Sequence, residues 1–191
     1  LASLEAMPNV RLMRNTTVAG YYEHQLLTLA ERVADRTGND ANAPTERFWH
    51  VRAEEVVIAT GATERPMLFV DNDRPGVMLV GAAAGYLWRY GVLVGRQPVL
   101  FGGDDSIYAI ARDLADAGAD IRAIVDTRSD PGDVASKMAA DGFRVLSGSM
   151  VARAHGRHRV TAAEIWRIDR GVPHLSETTS ADVILTSGSH G

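Results

Sequence analysis

The 191 residues carry 20 basic and 24 acidic side chains, a net charge of −4, with 46% hydrophobic and 23% charged residues. That is the balance of a core-forming chain of one or two domains, and its acidic surplus argues against a dedicated nucleic-acid or anionic-membrane binder. With no cysteine, a disulfide framework, a thiolate zinc site, an iron–sulfur cluster and cysteine catalysis are excluded within these residues.

In chain order, residues 1–7 predict the last turns of a helix, stopped by Pro8 and Asn9. Residues 10–13 predict a short strand. Residues 16–22, 25–33 and 48–51 predict a three-stranded antiparallel meander around Val18, Leu27 and Trp49. The stretch TGNDANAPT at 37–45 predicts a loop. Residues 55–61 (EVVIATG) hold four consecutive apolar residues before a small-residue turn, which predicts a strand buried on both faces. Residues 62–76, with Pro66, Pro75 and Gly76, predict an irregular crossing segment. Residues 77–90 predict a helix whose Gly81 and Gly85 permit close backbone approach. The run 75–88 is too short and too rich in Gly and Ala to span a membrane.

From residue 97 the order predicts a βαβαβ unit with a parallel sheet. Its strands are 97–101, 119–126 and 143–146; its helices are 106–117 and 133–141. Ile107, Ile110, Ala111 and Leu114 share one face of the first helix, and Gly118 ends it. Residues 151–154, 159–168 and 171–176 predict antiparallel strands, and 182–188 (DVILTSG) a final strand. That last run repeats the pattern of VVIATG: a hydrophobic strand, two small residues, then Gly, each after a polar meander.

The turn after the strand at 97–101 is where a dinucleotide fingerprint belongs. Its chemistry needs three small residues: for the turn, for backbone approach to pyrophosphate, and for helix–strand packing. Gly102 supplies the first, with Gly103 beside it. Asp104 and Ile107 stand at the other two. Two like charges about 4 Å apart repel by about 4 kcal/mol at an effective dielectric near 20, so a carboxylate at Asp104 opposes a pyrophosphate. Asp126 closes the next strand 24 residues after Gly102, in reach of a ribose. Three readings stay open: a Rossmann-like domain that has lost its ligand, ordinary NAD binding, and an altered ligand.

Other signals read as structural. His155 and His158 have no carboxylate or thiol neighbour in sequence and read as a basic hairpin tip, not a metal site. Asp71-Asn72-Asp73 opens like a calcium loop, but Ala82 stands where the twelfth-position acid belongs. Ser106 reads as a helix start, and Trp49, Trp88 and Trp166 as core or interface.

The run VVIATGATERPMLFVDNDRPGVMLVGAA followed by YLWRYGV resembles the alpha subunits of heterotetrameric sarcosine oxidase and related disulfide-reductase-like flavoproteins. The likeness continues through VLFGGDDSIYAIARDLADAGADIRAIVD and DVILTSG, with NTTVAGYYEHQ agreeing upstream. The combination ATG, RP and PGV is far more specific than ATG alone. The resemblance implies an α/β fold: a Rossmann-like three-layer parallel sheet with an antiparallel β-meander, the nucleotide-domain insert of a two-dinucleotide-domain flavoprotein. It implies an incomplete portion of a first dinucleotide-binding domain at 1–70, a crossing segment and helix at 71–96, and a second domain with a degenerate Gly-rich loop at 97–191. On this view the sequence is a middle piece of a longer subunit.

Carried over by position, Thr17 and Val18 match the strand that lies against the adenine in such domains. Ala59, Thr60 and Gly61 match the turn beneath the dinucleotide. Gly102, Gly103 and Asp126 are the insert's candidate cofactor contacts, while no residue is assigned to catalysis or to a metal. The implied function is a dinucleotide-domain scaffold in an oxidoreductase complex that oxidises a small N-methyl amino acid, a CH–NH donor. NAD or FAD is expected in the full-length parent and none in this chain, which is expected to be inactive alone. Expected partners are other subunits of a cytoplasmic flavoprotein complex, with self-association of the fragment. The alternative is a non-catalytic structural or interaction domain that has lost nucleotide binding.

Overall fold

In the computed structural model, which describes residues 2–33 and 44–188, the chain forms two units, Leu1–Thr60 and Gly61–Gly191. Residues 71–96 fall within the second of these units. Of the loop expected at 37–45, only residues 44 and 45 are among those described.

The first unit opens with α1 (Ala2–Glu5) and is built on β1 (Thr16–Tyr22), β2 (Leu26–Arg32) and β3 (Glu46–Arg52). They form the expected antiparallel meander in the order β1-β2-β3. A bulge between Val18 and Gly20 shifts the β1–β2 register. On β3, the Trp49 indole N–H donates to the buried Glu31 carboxylate at 2.9 Å, and the Arg11 guanidinium lies 4.7 Å from the Trp49 ring centre. That stacked guanidinium sits in a segment with no strand at 10–13, contrary to expectation. Asn15 turns it into β1 with φ 53°.

Residues 55–61 form no strand either. Val57 is 89% and Ile58 69% exposed, so the expected burial on both faces is absent. The physical reason is pairing. A parallel strand exists only as part of a ladder, and none of the described strands runs beside this one.

The second unit holds β4 (Val77–Leu79), α2 (Val80–Tyr90), β5 (Pro98–Gly102), α3 (Ser106–Asp116), β6 (Ala123–Asp126), α4 (Asp133–Ala140) and β7 (Val145–Ser147). It continues with β8 (Ser149–His155), β9 (Ala162–Asp169), β10 (Val172–Ser180) and β11 (Val183–Ser187). Five strands make one parallel sheet in the order β4-β11-β5-β6-β7. Residues 77–79 are strand, not the start of the helix, because Val77 and Met78 pair with Ile184 and Leu185 near the far end of the chain. No local periodicity carries that partner. β6 begins only at Ala123, later than expected, although the Asp120 and Arg122 amides already donate to the Arg96 and Pro98 carbonyls at 2.8 and 2.9 Å.

Strand alternation builds three layers. Leu100, Ile124, Val183 and Leu185 face α2, α3 and α4 and pack with Val80, Ile107, Leu114 and Met138. Val99, Phe101, Val125 and Ile184 face the other way, onto Val151, Ala154, Ala163 and Ile165 of the antiparallel sheet β10-β9-β8. The fold is therefore Rossmann-like α/β, with helices on one face of the parallel sheet and a β-meander on the other. Burying a side chain such as Leu100 or Ile124 contributes about 1.5–3 kcal/mol.

Candidate functional site

Chain order makes a switch point in the parallel sheet. After β5 the chain moves outward through β6 and β7, then returns by way of the meander to place β11 on the other side of β5. In open α/β sheets ligands bind in the crevice beyond the carboxyl ends of the two strands at such a point. Here those ends are Gly102-Gly103 and Ser187-Gly188.

Gly102 is fixed by packing. A Cβ there would meet Ile107 Cγ2 at 2.7 Å and the Ser187 carbonyl at 2.8 Å. Helix and strand thus touch closely despite the bulk of Ile107, because Gly102 makes the room. At Gly103 a Cβ would meet the Thr127 hydroxyl at 2.8 Å. Asp104 occupies the crevice. Its Oδ1 accepts the Ser106 amide, first of α3, at 2.8 Å, and its Oδ2 accepts the Ser187 hydroxyl at 3.2 Å. The two other helices at this edge are met in the same way. Glu64 Oε2 accepts the Gly81 amide in the first turn of α2 at 2.9 Å, and Asp130 Oδ1 accepts the Gly132 amide at the start of α4 at 3.1 Å.

Asp126 ends β6, fully buried. Its carboxylate accepts the Tyr108 hydroxyl at 2.7 Å, the Arg128 amide at 2.8 Å and the Arg128 guanidinium at 2.8 Å. Arg128 also pairs with Asp105 at 2.9 Å. Burial, and then the hydrogen bond to Asp126, push the Tyr108 phenol up from its ordinary value. Asp126 raises Arg128 further. The guanidinium on this side of the crevice is therefore held by two carboxylates.

The second place lies wholly in the first unit. Val18, Tyr21, Leu27 and residues 56–60 line an apolar cavity of about 270 Å³. It brings Val18 together with Ala59 and Thr60, three of the sequence-selected residues; Thr17 is the neighbour of Val18 on β1 and is not in the lining. Gly61 follows in a left-handed conformation, φ 77°, that a β-carbon disfavours.

His155 Nε2 lies 2.9 Å from Glu164 Oε2 on the meander, and His158 is in the loop that follows β8. Among the described residues no three His, Asp or Glu side chains gather as a metal site, and no helix is long and apolar enough to cross a membrane. Sequence reasoning missed Glu64, Ser187 and Arg128. Asp130-Pro131-Gly132 carried a visible turn signal. The Gly81 partner of Glu64 and the Ser187 partner of Asp104 lie 17 and 83 residues along the chain and are set by tertiary packing, which no local spacing reports.

No protein-family model matches the chain. Over 97% of its length it is 37% identical to the sarcosine oxidase alpha subunit of Rhizobium meliloti (strain 1021), across 187 residues that make 18% of that protein. It is 40% identical to the sarcosine oxidase alpha subunit of Corynebacterium sp. (strain P-1), across 98% of this chain and 20% of that one. An opine oxidase subunit of Agrobacterium tumefaciens (strain Ach5) is 40% identical over 42% of the chain and 16% of its own length. The chain thus spans about a fifth of the length of the sarcosine oxidase subunits it matches. In structure it is similar to a thioredoxin reductase of T. acidophilum, TM-score 0.57 at 16% identity, over 76% of this chain and 48% of that one. It is equally similar to an FAD-dependent pyridine nucleotide-disulphide oxidoreductase from Desulfovibrio vulgaris, TM-score 0.57 at 17% identity, over 93% of this chain and 43% of that one. At those identities the likeness is one of fold.

Proposed function

We propose that this chain is a segment of a sarcosine-oxidase-type alpha subunit, serving as dinucleotide-domain scaffold in a complex that oxidises a small N-methyl amino acid. The observation that carries the reading is collinearity: identity of 37–40% runs through both units, at 97–98% of the chain. The relatives are named as subunits, which supports other chains as partners, and we extend this to a cytoplasmic, hetero-oligomeric enzyme acting on CH–NH donors.

The cofactor assignment follows the fit of the residues. The cavity of Val18, Ala59 and Thr60 is apolar, of a size for a flat base, and free of charged side chains. We assign it, with Thr17 and Gly61 beside it, to the adenosine end of NAD or FAD in the longer protein. The bound flavin would supply acceptance of the hydride from the amine carbon. Residues of this chain position the dinucleotide, and none is given a proton-transfer or bond-breaking role. In the second unit Gly102, Gly103 and Asp126 serve packing and internal hydrogen bonding. The exposed Val57 and Ile58 support self-association of the isolated chain.

The test is anaerobic reduction of flavin by sarcosine in a complex assembled from the longer protein with its flavin-bearing partner. Amine-dependent bleaching supports the reading, and loss of dinucleotide from the longer protein on Val18→Asp supports the cofactor assignment. An assembled, flavin-loaded complex that sarcosine leaves oxidised overturns it.

A further inference from the structure

The switch-point crevice does not fit a pyrophosphate, and we infer that Asp104 is its built-in occupant: an internal carboxylate that takes the place of a phosphate and holds the crevice closed to phosphate-bearing ligands. Two contacts define the role. The Ser106 amide is the first of α3, where backbone N–H groups and the helix dipole favour an anion. The Ser187 hydroxyl stands at the end of the strand on the far side of the crevice. Asp104 takes both, at 2.8 and 3.2 Å. The carboxylate therefore bridges the two walls between which a ligand would lie.

The chain around it still runs from strand end to helix start through two glycines. Gly102 leaves no room for a side chain, and Ile107 seals helix against strand beneath. What has changed is the occupant, not the frame. A further donor is held in reserve, since the Ser106 hydroxyl is buried and without a partner among the described residues. The nearby guanidinium of Arg128 is already engaged by Asp105 and Asp126, so it does not offset a second anion. Removing the Asp104 carboxylate frees the Ser106 amide and the Ser187 hydroxyl together and deletes the charge that repels phosphate.

The inference concerns the second unit alone and does not depend on the amine-oxidation reading; flavin reduction tests one and phosphate binding by this chain tests the other. The experiment is calorimetric titration of the whole chain with inorganic pyrophosphate and with ADP, using the native sequence, Asp104→Gly, Asp104→Asn and Ser187→Ala. Native protein is expected to give no saturable heat. Asp104→Gly is expected to bind pyrophosphate at least about tenfold more tightly than native protein, the effect of deleting one like charge at contact range. Asp104→Asn keeps the bridge but loses the charge, so it guards against misfolding and should give a smaller gain in the same direction. Ser187→Ala should lower the melting temperature while the crevice stays closed, because the anion remains on α3. Native protein that binds pyrophosphate as tightly as the variants overturns the inference. So does the absence of any gain in whichever Asp104 variant keeps the native circular dichroism.

Discussion

Residues 56–61 and 183–188 carry one pattern, VVIATG and VILTSG, and meet opposite fates. In the second run Val183, Ile184 and Leu185 are buried on an interior strand of a five-stranded sheet, with β4 on one side and β5 on the other. In the first, the equivalent Val57 and Ile58 are open to solvent. Both follow an antiparallel meander. The difference is the ladder: hydrophobicity and β-branching make a segment fit for a buried parallel strand, but backbone pairing on both edges makes it one. The same sequence signal thus reports what a segment can join, not what it has joined.

Amide exchange should separate the two runs most widely. Residues 183–187 should exchange only through global opening, at about 5–15 kcal/mol for an ordinary domain, while residues 56–60 open at little cost. The protection of the two runs should differ by about three orders of magnitude or more. Comparable protection would mean that the first run is paired in solution, by self-association or otherwise. Truncation comes next in size. Leu185→Ala empties a fully buried site and should cost about 2–5 kcal/mol in urea unfolding, whereas the equivalent Ile58→Ala should stay within about 0.5 kcal/mol.

How far the sequence could be read follows the same line. The helix over Ile107, Ile110, Ala111 and Leu114 was legible because its period is local, and its buried face is the expected one. The meanders were legible from alternation and turn residues. Val77 to Leu79 was not, since its strand character is conferred by β11 from the far end of the chain. At the crevice, the misfit of Asp104 in a phosphate turn was visible from its position after Gly102. Its partner Ser187 was not, because the switch point that unites them is a property of strand order. Spacing placed Asp126 at the end of β6, but not Tyr108 and Arg128 upon it.

The glycines that end the two runs differ in what constrains them. Gly61 has φ 77° and open space around it, while a Cβ on Gly188 would meet the Arg65 carbonyl at 2.9 Å. Gly61→Ala should therefore cost about 1–2 kcal/mol through backbone conformation alone, and Gly61→Asn should recover part of that loss, since Asn tolerates the left-handed region. Gly188→Ala should cost about 1–3 kcal/mol through overpacking, and Gly188→Asn more, not less. Equal rescue by Asn at both positions would show that one mechanism governs both turns.

The smallest expected effect lies in the meanders that precede the two runs. Each has a tryptophan donating to a glutamate: Trp49 to Glu31 at 2.9 Å, and Trp166 to Glu164 at 2.7 Å. The Trp166 N–H, followed by His155, holds the Glu164 carboxyl below its ordinary value. A carboxyl depressed in the folded state stabilises above the unfolded value, about 4.3 for Glu, and that contribution is lost as pH falls through the depressed value. Trp166→Phe removes the larger cause, so the decline of stability with acid between about pH 5 and pH 3 should become shallower than in native protein. Urea midpoints measured across that window check it. A slope unchanged by the substitution would assign the depression to His155, and the part-buried His155–Glu164 pair would then stand as the meander's own acid-sensitive contact.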